Sequence, residues 1–111
     1  MALIVPGRLT AMKTVPAKLT AREIETDLPR LPGWTIVDAK LHREYKFPDF
    51  ASAFEFMKTA APAIERMNHH PEWLNVYDRV VVDLTTHDAG GISQKDIDLA
   101  MVFETIAGKL E

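Results

Sequence analysis

The chain contains no cysteine. Disulfides, thiolate nucleophiles, iron–sulfur clusters and cysteine-ligated zinc are thereby excluded. Long apolar runs are missing too. The stretch Val80-Val81-Val82 is stopped by Asp83, well short of the roughly 20 residues that span a bilayer, so no membrane partner is expected. A basic surplus is absent: 13 Lys and Arg stand against 16 Asp and Glu, a net charge of −3 at pH 7. That balance argues against direct nucleic-acid binding. There is no G-x-G-x-x-G, no P-loop and no G-x-S-x-G elbow, and Gly90-Gly91 alone makes no phosphate cradle. Nucleotide and flavin cofactors are unsupported.

What is present suits one globular domain. The length of 111 residues leaves little room for a second. Hydrophobic residues at 47% and charged residues at 26% are the mix of a chain that builds a core. Residues 1–17 read as a flexible basic tail, because Pro6, Gly7 and Pro16 break helical patterning and no acid precedes Glu23. The competing reading of that tail is a remnant of a targeting segment. Residues 18–111 form the domain.

Thr20-Ala-Arg-Glu23 is a capping box, and Ile24, Leu28 and Leu31 follow at helical spacing. Pro29, Pro32 and Gly33 end that helix near residues 28–30. Trp34–Val37 and Leu41–Phe47 read as strands in an antiparallel pair, with Arg43 interrupting the apolar face near an edge. A long helix starts after Pro48-Asp49. Its expected apolar stripe is Phe50, Phe54, Met57, Ala61, Ile64 and Met67, with Pro62 predicting a kink or local adjustment. Trp73–Tyr77 and Val80–Thr86 read as two more strands joined by a tight turn at Asp78-Arg79. Ser93 caps a last helix with Asp96 at its third position, and Leu99, Val102, Phe103, Ile106 and Leu110 form its stripe. The order is helix-strand-strand-helix-strand-strand-helix. The fold expected is α+β: a four-stranded antiparallel sheet with three helices on one face.

The chemistry centres on Asn68-His69-His70-Pro71-Glu72-Trp73 and on Thr85-Thr86-His87-Asp88. The first lies at a helix end and the second at a strand end, where a rigid scaffold presents loop residues. Imidazole exchanges protons near neutral pH, so His69, His70 and His87 suit an acid/base set if the fold unites them. Simpler roles compete. His69 could cap the last helix carbonyls. Adjacent side chains in extended backbone point apart, so the pair need not share a site. Asp96 could serve only the Ser93 cap, and Glu65 could pair with His69 along the helix. Trp73 suits the core, Glu72 a surface charge, and His42 the polar face of its strand. Three histidines also suit zinc, but helical metal pairs stand at i, i+4, which this pair does not.

Taken together, Glu65, His69-His70-Pro71, Tyr77, His87 and Asp96 resemble the signature of the pterin-4a-carbinolamine dehydratase family, also known as the dimerization cofactor of a hepatocyte nuclear factor. Three residues separate Glu65 from His69, nine separate Tyr77 from His87, and Asp96 stands nine positions beyond His87. Leu31-Pro-Gly-Trp34 and Phe47-Pro-Asp-Phe50 resemble further landmarks. The likeness covers residues 18 to 110 or so.

The resemblance implies an α+β sandwich that assembles as a homodimer or homotetramer. It implies loss of water from 4a-hydroxytetrahydrobiopterin to give quinonoid dihydrobiopterin, recycling the cofactor of aromatic amino acid hydroxylases. No metal or organic cofactor is implied. Catalysis would fall to His69, His70 and His87. The pterin would be held by Asn68, His69, His70, Thr85, Thr86, His87 and Asp88. Glu65, Pro71, Trp73 and Asp96 would support them from behind. A cytoplasmic location follows, with nucleus or organelle left open by the tail. Two other classes stand beside the enzyme. One is a non-catalytic binding or dimerization module acting as a transcriptional coactivator or assembly factor, for which an intact histidine set would be unnecessary. The other is a metal-dependent hydrolase.

Overall fold

A computed structural model describes residues 16–111. The expected tail falls outside the described residues as far as residue 15. The element order follows the expectation. Helix α1 (Ala21–Asp27) runs into a 3-10 turn at Leu28–Arg30, then come β1 (Thr35–Val37), β2 (Lys40–Lys46), α2 (Phe50–Met67), β3 (Glu72–Val76), β4 (Arg79–Leu84), a 3-10 turn at His87–Ala89, and α3 (Gln94–Ala107). The strands lie in the order β1-β2-β4-β3, each neighbouring pair antiparallel. Both capping boxes form: Thr20 with Glu23, and Ser93 with Asp96.

Alternation along the strands sorts the two faces of the sheet. Leu41, Tyr45, Val80, Val82 and Leu84 point to the helices and are buried. Phe56 of α2 and Phe103 of α3 meet them, with ring centroids 5.6 Å apart. Trp73 stacks on Phe103 at 5.9 Å and 18°. Arg43 lies on this inner face, beyond the three residues of β2 that pair with β1. It resolves its conflict with the core by stacking over Tyr45, 4.3 Å from the ring centroid, and reaching Glu104 at 3.3 Å. Glu104 also accepts hydrogen bonds from Trp34 Nε1 and the Tyr45 hydroxyl. Burial and that carboxylate push the Tyr45 hydroxyl well above the usual phenol range.

Two expectations are corrected. The buried face of α2 is Ala53, Phe56, Ala60, Ala63 and Ile64, whereas Phe50 is 49% and Phe54 55% exposed. The helix is apolar on two faces. Ile64 of the expected stripe is buried, and Met57 and Met67 pack against the margin of the core, so the correction concerns Phe50, Phe54 and Ala61. The second hairpin turns at Tyr77-Asp78 rather than Asp78-Arg79, because Arg79 already pairs with Val76. Tyr77 takes the left-handed conformation at φ 51, and Lys46 binds Asp78 at 2.5 Å. Pro62 does not divide α2. It lies on the exposed side, where the carbonyl it frees faces water.

The outer face of the sheet carries charged pairs beside exposed Leu74 and Val76. His42 Nδ1 meets Asp83 at 2.8 Å and its Nε2 meets Glu44 at 3.3 Å, while Lys40 pairs with Glu72 at 2.6 Å. The Asp83 carboxylate, and after it Glu44, hold the His42 pKa above its ordinary 6.5 despite partial burial. A raised folded pKa stabilises fully below the unfolded value and is lost as pH rises through the folded value. His42→Gln should therefore cost about 0.5–1 kcal/mol near pH 5 and close to nothing near pH 9. Urea denaturation at the two pH values measures the difference.

Candidate active site

Helix α2 ends because Asn68 adopts the left-handed conformation (φ 49, ψ 45). The His69 N–H then returns to the Ile64 carbonyl at 3.3 Å, a helix-closing turn that asparagine tolerates well. Pro71 sets the extended exit into β3. Strand β4 ends beside this corner, and the loop after it carries His87. That loop closes through the Thr86–Gly91 bridge, with Gly90 at φ 75.

The ring of His69 turns inward rather than onto the helix carbonyls. Its Nε2 lies 2.5 Å from Asp96 Oδ1. Asp96 is fully buried at 0% exposure. Its other oxygen accepts from the Thr86 hydroxyl at 2.7 Å and from the Ser93 N–H at 2.9 Å. The Ser93 and Thr86 hydroxyls are 2.6 Å apart, and Ser93 Oγ accepts from the Lys95 N–H at 3.2 Å. Thr86 donates to Asp96, so Ser93 donates to Thr86. The capping role and the histidine-orienting role of Asp96 are therefore both real. Its carboxylate fixes the proton of His69 on Nε2 and leaves Nδ1 free of that contact.

His70 is exposed, and its Nε2 meets Glu65 at 3.2 Å. Glu65 thus serves the second histidine of the pair, not His69. His87 is exposed, and its ring makes no hydrogen bond to another described side chain.

A cavity of about 360 Å³ joins these groups. Asn68, His69, His70, Thr85, Thr86, His87 and Asp88 all line it, so the two loops meet as expected. Glu65 and Asp96 act from behind His70 and His69. Pro71 and Trp73 are not on the wall: Pro71 shapes the backbone, and the Trp73 ring belongs to the core. The wall also holds Pro16, Glu72 and Lys95, which sequence reasoning missed. Lys95 stands one residue before Asp96, in the first turn of α3, and that neighbourhood was the available signal. Glu72 is exposed and pairs with Lys40, as its surface reading expects, and it also borders the cavity; nothing local marks Pro16 as a lining residue. No three His, Asp or Glu side chains among the described residues gather closely enough to hold a metal ion. No helix among them is long and apolar enough to cross a membrane.

Fold and site together define the class: an α+β protein with a polar cavity lined by imidazoles and backed by a buried carboxylate. Comparison with known proteins names the family. The sequence pattern described as pterin 4 alpha carbinolamine dehydratase matches residues 17–106. A protein of Solibacter usitatus named for that enzyme is 57% identical over 90 residues, covering 81% of this chain and 95% of its own length. One from Burkholderia multivorans is 48% identical over 92 residues, covering 81% and 90%. The solved structure of a transcriptional coactivator/pterin dehydratase from Brucella melitensis superposes with a TM-score of 0.80 at 44% identity, covering 82% of this chain and 99% of that one. The chain belongs to the pterin-4a-carbinolamine dehydratase family.

Asp96→Ala would strand the Ser93 N–H, the Thr86 hydroxyl and the His69 ring at once. It should lower stability by about 3 kcal/mol, measured by urea denaturation. Asp96→Asn should lose less and shift the His69 proton between its ring nitrogens, read from imidazole ¹⁵N shifts.

Proposed function

We propose that the histidine cavity dehydrates 4a-hydroxytetrahydropterins, giving quinonoid dihydropterin and water. The observation that carries this reading is the convergence of His69, His70 and His87 on one cavity of about 360 Å³, a size that suits a bicyclic heterocycle. The reaction breaks the bond from C4a to its hydroxyl and removes the proton on the adjacent ring nitrogen, N5. A double bond between C4a and N5 replaces them. No electrons leave the system, so two proton transfers complete the step.

His69 and His87 handle those protons. His69 works through Nδ1, because Asp96 occupies its Nε2. The buried carboxylate holds the ring in one orientation, so that Nδ1 faces the departing hydroxyl as its proton donor. His87, from the opposite loop, takes the N5 proton. His70, steadied by Glu65, positions the ring. Backbone and side-chain groups of Asn68, Thr85, Thr86 and Asp88 supply hydrogen bonds to the pterin edges.

The physiological substrate in this reading is 4a-hydroxytetrahydrobiopterin from an aromatic amino acid hydroxylase. The working form is a homodimer or homotetramer. Exposed Leu74 and Val76 on the edge strand β3, and exposed Phe50 and Phe54 on α2, favour self-assembly. The same α2 surface favours the rival reading, a binding module, whose function would survive loss of the histidines.

A dehydration assay decides between them. A hydroxylase generates the 4a-hydroxypterin, and its ultraviolet decay is followed with and without this protein. The wild type should accelerate decay. His69→Ala and His87→Ala should each lose about 10²–10³-fold in kcat/KM, with His70→Ala acting more on KM. A folded wild type that does not accelerate decay would transfer the function to the binding module.

A further inference from the structure

We infer that Pro16 is a substrate-contacting residue: it supplies the apolar wall of the cavity from a segment outside the family pattern. Pro16 lines the cavity and is half-buried. Every other described lining residue carries a polar or charged side chain. The match to the family pattern begins at residue 17, one position after Pro16.

The segment behind Pro16 is anchored. Lys18 bridges Ser93 in antiparallel fashion, and the Leu19 N–H donates to the Ile92 carbonyl at 2.8 Å. The Lys18 side chain lies across Gly91, where a Cβ would stand 2.9 Å from its Cε. Ser93 is also part of the hydrogen-bonded group around Asp96. Pro16 thus sits two residues from a backbone anchor on the same loop that carries His87.

The chemistry of the substrate asks for such a wall. A pterin has polar edges and weakly polar faces, and its carbon substituent is carried on C6, the ring atom next to N5. Hydrogen-bonding residues satisfy the edges. A face or an alkyl substituent gains only from contact that removes apolar area from water. A proline ring is rigid, so it offers that contact with little entropy lost on binding.

This inference rests on the pterin-dehydratase reading, and the experiment separates the two. Binding of an oxidised pterin is followed by fluorescence quenching, with KM and kcat from the dehydration assay beside it. Pro16→Ser, which removes the apolar ring, should weaken binding and raise KM about three- to tenfold with kcat unchanged. Pro16→Val, which restores an apolar surface, should stay within about twofold of wild type on the same argument. Unchanged binding by Pro16→Ser overturns the inference. Equal weakening by Pro16→Val also overturns it, because the backbone constraint rather than the apolar wall would then be responsible. A wild type that neither binds pterin nor accelerates dehydration sinks the underlying reading instead.

Discussion

The Asp96 carboxylate, buried at the start of α3, gathers donors from three separate parts of the chain. His69 comes from the end of α2, Thr86 from the end of β4, and the Ser93 N–H from the cap of α3 itself. A carboxylate without water is tolerated only when its lone pairs are satisfied, and these donors satisfy them. The ends of α2, β4 and α3 are held together as a result, and the cavity is the space left between them. Stability and the geometry of the cavity draw on the same group. An imidazole fixed at one nitrogen by a buried carboxylate has a defined tautomer and a defined direction, which a solvent-exposed histidine lacks.

The sheet supplies the frame for that arrangement. Its inner face is committed to an aromatic core of Trp34, Tyr45, Phe47, Phe56, Trp73 and Phe103. Glu104 lies at the margin and satisfies the polar tips that this core must bring along. The outer face carries Lys40, His42, Glu44, Glu72 and Asp83, paired across strands. Glu72 belongs both to this outer network and to the cavity wall. The site therefore lies at one end of the sheet, where the apolar layer stops and hydrogen-bonding loops begin. That position explains a wall almost wholly polar, and it explains why a single proline stands out within it.

Much of the site was legible in the order of residues. The histidine pair before a proline, His87 at a strand end and Asp96 in a capping position each had a local meaning, and their joint spacing carried the family likeness. Seven residues expected at the substrate do line one cavity. Local reading failed where a residue's role depends on a distant partner. Glu65 chose between two adjacent histidines, and backbone direction at the helix end sent His70 to it and His69 to Asp96. Glu72 is the surface charge that its strand alternation implies, exposed and paired with Lys40, and only the loop from elsewhere puts a cavity beside it. Pro16 carries no local signal at all.

The element order, both capping boxes and the antiparallel hairpins were determined by the sequence alone, because they rest on interactions within a few residues. Hydrophobic period, cap chemistry and turn residues act locally, and here they agree with one another. Tertiary packing decided which apolar positions of α2 would be buried: Ala53, Phe56, Ala60, Ala63 and Ile64 turn inward, while Phe50 and Phe54 stay exposed. It placed Arg43 against Tyr45 and Glu104. It also closed the cavity, since the groups that meet there are separated by up to 79 positions, from Pro16 to Lys95. Contacts at that separation exist only once the sheet has set the distance between its strand ends and the helices have filled one side of it.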